Sequence, residues 1–94
     1  MPTFLMFGKY SAQAIKEASP ERSQAAEGVI KKLGGEIKAA YALLGETDLL
    51  VVVELPGTVA AVTASVALGK MTGIEFTTCP AITLEEFDKI ITTA

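Results

Sequence analysis

Three residues of this chain are best suited to acid–base chemistry: Asp48, Tyr10 and Tyr41. Asp48 opens an apolar strand directly after a turn, and a carboxylate there could accept a substrate proton as a general base. A hydroxyl of Tyr10 or Tyr41 would then hold the resulting anion in the space between sheet and helices. The structural alternatives, which the sequence favours, are turn hydrogen bonds for Asp48 and core or rim packing for the tyrosines.

Two further charged residues, Lys9 and Glu54, lie at the ends of apolar strands and are candidates for ligand binding. Lys9 would orient an anion, and Glu54 would place a carboxylate in a pocket. The simpler interpretations are a solvated lysine, and a glutamate that is exposed or paired across a subunit interface. Both residues are therefore binding candidates and not catalytic ones.

Several common chemistries are excluded because the chain contains no histidine. The most frequent general base, haem ligand and metal ligand is missing, and a Ser-His-Asp or Cys-His arrangement is impossible. No residues have zinc-site spacing, and no glycine-rich phosphate loop is present. We therefore expect neither a metal nor a cofactor.

The net charge of −3 and the scattered cations point away from nucleic acid and from anionic membrane surfaces as partners. Cys79 is the only cysteine, so no intramolecular disulfide can form, and an inert buried thiol in a reducing cytoplasm is expected. The opening residues Met1–Phe4 lack the basic region of a signal peptide. No apolar run approaches the ~20 residues of a membrane span.

The chain predicts one domain over residues 1–94. Apolar patterning predicts four strands, at Thr3–Tyr10, Glu36–Leu44, Thr47–Leu55 and Ile74–Ile82. Start and stop signals predict helices over Ala12–Ala18 with Ile15 buried, from Pro20 to Leu33, over Thr58–Met71, and after Thr83 with Phe87, Ile90 and Ile91 turned inward. Gly45-Glu46 predicts a two-residue hairpin turn.

The predicted order of these elements is βαββαβ followed by a helix. Two βαβ halves of this kind fold as a ferredoxin-like α+β sandwich, with helices on one face of a four-stranded antiparallel sheet. Within β-strand two, strict alternation puts Ile37, Ala39, Tyr41 and Leu43 on one face.

The run Leu49–Val53 predicts that both faces of this sheet are covered, because side chains alternate along a strand and all five are apolar. The face without helices spans on the order of 400 Å². Covering it in two copies contributes about 20 kcal/mol against an association cost of about 4–15 kcal/mol. We therefore infer a homodimer with its sheets face to face. The alternatives are a C-terminal helix folded over its own sheet, and a higher homo-oligomer joined through strand edges.

The chain resembles the GYD domain family over nearly its whole length. The matching segments are Met1–Met6, Lys9-Tyr10, Ser19–Arg22, Leu33–Gly35, Leu44–Asp48, Val53–Pro56 and Leu84–Phe87. The family is named for Gly, Tyr and Asp at this hairpin, where Gly45 and Asp48 match and Thr47 replaces the tyrosine. Thr47 is therefore a candidate for ligand binding, but it lacks the phenol group that a tyrosine would bring to this position.

The resemblance implies a dimeric α+β barrel, in agreement with the predicted dimer. It implies no settled activity. The function that we expect is a small-molecule-binding or assembly homodimer without catalysis, taking a small apolar ligand. The alternative is a cofactor-free monooxygenase or isomerase that acts on a small apolar aromatic or lactone-like compound, with Asp48 as base.

Overall fold

The computed structural model describes residues 1–94 and contains four strands and four helices. In chain order these are β1 (Thr3–Lys9), α1 (Ala12–Lys16), α2 (Pro20–Lys32), β2 (Glu36–Ala42), β3 (Leu49–Glu54), α3 (Thr58–Thr72), β4 (Glu75–Ala81) and α4 (Leu84–Thr93). The sheet has the order β2-β3-β1-β4, and every neighbouring pair is antiparallel. Helices α2 and α3 pack together on one face. The predicted ferredoxin-like α+β fold is confirmed.

Side-chain caps define where the helices begin. The Ser19 hydroxyl accepts a 3.1 Å hydrogen bond from the backbone N–H of Arg22, and Pro20 occupies the first turn of α2. The Thr83 hydroxyl accepts a bond of the same length from the N–H of Glu86, which is the geometry of a capping box at the start of the helix predicted after Thr83. Gly73 ends α3 in the left-handed region with φ of 76°.

The core lies between α2, α3 and the helix-facing side of the sheet. Its fully enclosed residues are Phe4, Met6, Ile30, Val53, Leu55, Ala61, Ala64 and Leu68. The alanines let α3 lie close to the sheet. Gly8 in β1 leaves room for the side chain of Ile74, the residue just before β4, because an added Cβ would stand 2.9 Å from it.

One strand departs from the predicted alternation. The register of β2 against β3 shifts between Ile37 and Ala39, which places a bulge at Lys38. Ile37 pairs with Val53 and faces the helices, whereas Ala39 and Tyr41 pair with Val52 and Leu50 on the opposite face. The prediction that Ile37 and Tyr41 share a face is wrong, because the inserted residue reverses the sequence parity.

The connection between β2 and β3 is also longer than predicted. The N–H of Leu43 bonds the carbonyl of Asp48 at 2.9 Å, so a wide loop and not a two-residue turn closes this hairpin. One burial prediction, for α1, is wrong as well. In the short helix α1 the buried residue is Ala14 and not Ile15, which is 55% exposed.

The second face of the sheet carries no helix in this chain. We call it the open face; its apolar residues are Leu5, Phe7, Ala39, Tyr41, Leu50, Val52 and Cys79. Leu5 lies between Val52 on β3 and Cys79 on β4, and all three are partly exposed. The open face is therefore a continuous apolar surface across the centre of the sheet.

Helix α4 projects from the body of the domain. It makes at most marginal contact with the other elements, and none of its residues is buried. The prediction that Phe87, Ile90 and Ile91 face inward is wrong within one chain, since they are 47%, 50% and 61% exposed. The projection contributes to a molecule with extents of 49 × 30 × 18 Å. None of the helices combines the length and the apolar character that crossing a bilayer requires.

Candidate functional site

An apolar cavity of about 140 Å³ lies between the sheet and the helices. Hydrophobic residues make up 11 of the 14 that line it. The sheet contributes residues such as Met6, Leu49 and Val51, and the helices contribute Ala26, Ile30 and Leu68. An apolar cavity of about 150 Å³ in another protein admits benzene. This cavity therefore has the size and lining for one ring or a short branched chain.

The three polar residues of the lining are Arg22, Ser23 and Thr72, and Tyr10, which is counted among the 11 hydrophobic residues, adds a phenol. Tyr10 follows the end of β1, while Arg22 and Ser23 belong to the first turn of α2. The Arg22 guanidinium carbon stands 6.0 Å from the centre of the Tyr10 ring, within the range of a cation–π contact. Tyr10, predicted to meet a ligand between sheet and helices, does line this space.

Arg22 is held in place by the backbone of α1. Its Nη1 donates a 2.7 Å hydrogen bond to the carbonyl of Ala14, which is itself buried. The side chain is only partly exposed. Arg22 was not among the residues singled out from the sequence. The available signal was a cation in the first turn of a helix, where the dipole favours anions instead.

Asp48 binds the end of β1. Its Oδ2 accepts a 3.0 Å hydrogen bond from the N–H of Tyr10, and its own N–H donates to the carbonyl of Gly8 at 2.9 Å. Asp48 is partly exposed and does not line the cavity. The favoured interpretation placed its hydrogen bonds within a local turn. The partners of its carboxylate and N–H are 38 and 40 positions away in the chain, and only its carbonyl has a partner within the loop, the N–H of Leu43.

The remaining predicted site residues lie elsewhere. Tyr41 is 56% exposed on the open face, on the other side of the sheet from the cavity. Glu54 lies on the same open face, since it pairs with Thr3. Lys9 is the last residue of β1, next to Tyr10, and is exposed. Thr47 lies in the β2–β3 loop. The structure thus joins Tyr10 to Asp48 by a hydrogen bond, whereas the side chains of the other four predicted residues lie outside the cavity lining.

No three Asp, Glu, Cys or His side chains of the structure stand close enough to hold a metal ion. The sequence predicted a buried thiol at Cys79. The structure instead leaves Cys79 partly exposed on the open face. What the arrangement around the cavity offers is an apolar space with one cation and one phenol beside it.

The fold is shared with part of a longer protein of known structure. The crystal structure of the leucine response regulatory protein LrpA of Mycobacterium tuberculosis is similar, with a TM-score of 0.57 at 10% sequence identity. The match covers 87% of this chain and 51% of that one, so this chain spans about half the length of its structural neighbour. At this identity the likeness shows the fold alone, an α+β domain of ferredoxin-like type.

The family is shown by the sequence. The family model of the GYD domain matches residues 4–91, nearly the whole chain. This chain therefore belongs to the GYD domain family, as its capping, hairpin and strand-exit motifs predicted. A comparison with curated proteins found no match.

Proposed function

We propose that this GYD domain is a small-molecule-binding homodimer without catalysis, and that its ligand is a small apolar compound. The single observation that carries the proposal is the cavity of about 140 Å³ with its hydrophobic lining. Ligand sites are concave and mostly apolar, with a few polar groups that orient the ligand. Tyr10 and Arg22 are such groups here.

The open face supports the homodimer. Leu5, Phe7, Leu50 and Val52 form the centre of an apolar surface that no element of the same chain covers. Contiguous apolar areas of several hundred Å² on soluble domains are often interaction sites. A second copy presents the same surface and covers it by twofold symmetry. The single thiol is compatible with a cytoplasmic location, which is part of the proposal.

The geometry gives the enzymatic alternative less support. A general base needs to reach the proton it removes, yet Asp48 is outside the cavity and one of its oxygens holds the N–H of Tyr10. Tyr41 faces the other side of the sheet. A monooxygenase or isomerase built on these three residues would need them to converge on one substrate.

The test is a titration of ¹⁵N-labelled protein with benzoate, phenol and benzyl alcohol, followed by amide chemical shifts. We expect saturable shifts centred on α2, β1 and β3. The variant Ala26→Leu adds three carbons inside the cavity and should weaken binding about ten-fold or more by filling it. Its matched control is Ala25→Leu, an exposed neighbour on the same helix.

The cavity variant Ala26→Leu and its control Ala25→Leu together distinguish a loss of binding from a general disturbance of the fold. If the control behaves as wild type and Ala26→Leu does not bind, the cavity is the site. If none of the compounds shifts any lining residue of the wild-type protein at millimolar concentration, the proposed binding function is wrong.

A further inference from the structure

We infer that Arg22 makes the cavity selective for a small monocarboxylate, with the carboxylate paired to the guanidinium and the apolar body inside the cavity. This inference rests on the proposed binding function and deepens it by naming the ligand class. Three observations carry it: the placement of Arg22, its lack of a counter-ion, and the size of the space behind it.

Arg22 is oriented before any ligand arrives. One N–H donates to the Ala14 carbonyl at 2.7 Å, and the guanidinium lies beside the Tyr10 ring. An arginine offers five N–H donors in a rigid fork, so most of its donors have no partner in the protein. A planar fork of this kind matches the two oxygens of a carboxylate. Because the side chain is already held, less conformational entropy is lost on binding.

The charge of Arg22 has no counterpart in the chain. The two ion pairs are Lys31 with Glu27 and Lys38 with Glu36, so no carboxylate lies within 4.0 Å of the guanidinium. Arg22 also stands in the first turn of α2, where the helix dipole already makes the potential positive. Both effects disfavour an isolated cation at this place and favour a bound anion.

The space behind Arg22 sets the rest of the ligand. A cavity of about 140 Å³ with 11 hydrophobic residues in its lining accepts one ring or a branched chain of about six carbons. A second anionic group inside this lining would lose its hydration without a partner. The ligand class is therefore a monocarboxylic acid with one short apolar body, such as an aromatic or branched aliphatic acid.

The experiment compares isosteric ligands on the wild-type protein, so no variant has to fold. Benzoate and benzamide have nearly the same shape, and only benzoate carries a charge. We expect benzoate to bind at least about ten-fold more tightly than benzamide, as hydrogen bonds to a charged group usually give. The advantage should fall at high salt. Equal affinities would overturn the monocarboxylate inference and leave cavity binding intact, whereas no binding of either would overturn the proposed function as well.

Variants place the effect on Arg22. Arg22→Gln should remove the preference for benzoate over benzamide, and Arg22→Lys should restore only part of it because the fork is lost. The control is Lys16→Gln, which removes an exposed cation from the neighbouring helix α1. If Lys16→Gln reduces the preference as much as Arg22→Gln, a diffuse positive field and not the guanidinium is responsible, and the inference is wrong.

A different observation, the projecting helix α4, carries a second inference. We infer that the apolar side of α4 packs against a second copy of this chain, which rests on the proposed homodimer. Leu84, Phe87, Ile90 and Ile91 lie on one side of the helix and are 78%, 47%, 50% and 61% exposed. The opposite side carries Glu85, Lys89 and Thr92.

The area that a stable dimer needs to bury favours a second copy of this chain as the partner of the apolar side of α4. Two open faces of about 400 Å² each bury about 800 Å², below the roughly 1,200 Å² at which stable interfaces begin. Four apolar side chains of roughly 100 Å² each, contributed by both copies, bring the total to about 1,600 Å². The open face and α4 together therefore provide an interface of standard size, whereas the open face alone provides a smaller and weaker one.

Sedimentation equilibrium of three proteins tests the role of α4. The double variant Phe87→Ser, Ile90→Ser should raise the dimer dissociation constant about ten-fold or more, since it removes two apolar contacts in each copy. The control Glu85→Ser, Lys89→Ser changes the opposite side of α4 and should leave the constant unchanged. Equal dissociation constants for all three would overturn the α4 inference and leave the dimer intact. A wild-type protein that is monomeric at about 100 µM would overturn both the α4 inference and the proposed homodimer. In that outcome the apolar side of α4 packs on its own sheet or binds lipid vesicles.

Discussion

The backbone N–H of Tyr10 donates a 3.0 Å hydrogen bond to Oδ2 of Asp48, so a carboxylate from the β2–β3 loop ties down the end of β1. The N–H of Asp48 returns a bond to the carbonyl of Gly8 at 2.9 Å. Together they hold the residue that follows β1 beside the cavity. This relationship favours a structural role for Asp48 that also positions Tyr10.

Replacing Asp48 should therefore lower stability. Asp48→Ala removes a charge-assisted acceptor from a partly buried N–H and should cost about 1.5–3 kcal/mol in the free energy of unfolding. Asp48→Asn keeps an acceptor oxygen and should cost less. Urea denaturation measures both, with Glu46→Ala in the same loop as the exposed control. A stability for Asp48→Ala equal to that of the control would contradict the structural role.

Gly35 tests the packing between α2 and β3. A Cβ at this position would overlap the Glu54 carbonyl oxygen and stand 2.5 Å from the Leu55 side chain. Gly35→Ala should therefore force the backbone apart and cost about 1–3 kcal/mol of unfolding free energy or more. The same change at Gly28, in the middle of α2 with no atom near its Cβ, should stabilise by about 0.5–1 kcal/mol. Opposite signs in denaturation experiments are the expected result.

The open face can be tested with one charge. Val52→Lys places an ammonium at the centre of the proposed sheet-to-sheet contact, where two copies would bury two unpaired charges. We expect a monomer by sedimentation, with Cys79 alkylated faster than in wild type because it shares this face. Val59→Lys makes the same change on the exposed side of α3 and should stay dimeric. Monomers in both variants, or dimers in both, would argue against this face as the contact.

The cap of α2 links stability to the position of Arg22. Ser19→Ala removes the acceptor of the Arg22 N–H at 3.1 Å and should cost about 1 kcal/mol in unfolding free energy. Because the first turn then frays, the affinity for benzoate should fall in parallel. Ser23→Ala, which loses only a 3.4 Å exposed bond, is the comparison for stability. Thermal denaturation and calorimetric titration together check both effects, and unchanged stability in Ser19→Ala would rule out the cap.

Much of the fold was predictable because its signals are local. Ser19 with Pro20, Thr83 with Glu86, and the glycine at 73 each mark a helix end by one hydrogen bond or one backbone conformation. The order of strands and helices then followed. The bulge at Lys38 was not predictable, since it depends on the pairing register of β2 with β3, which the alternation of apolar residues within β2 does not reveal.

The site was predicted less well than the fold. Tyr10 lines the space between sheet and helices, where its ligand-binding role stays a prediction, whereas the same bulge carries Tyr41 to the open face. Arg22 depends on a contact with Ala14 across a helix junction, which no spacing in the sequence reveals. The exposed side of α4 has a clear apolar pattern, but amphipathicity does not say which molecule supplies the partner surface.

Each of the two outer strands of the sheet carries a feature that disfavours the addition of another strand. Pro80 lies within β4 opposite Phe4 and has no N–H to donate, and β2 carries the bulge together with Glu36 and Lys38. A proline or a charged, kinked border is a poor template for an added strand. In concentrated solutions, this domain should consequently resist fibril growth by strand addition at the sheet edges, although its two middle strands are strongly apolar.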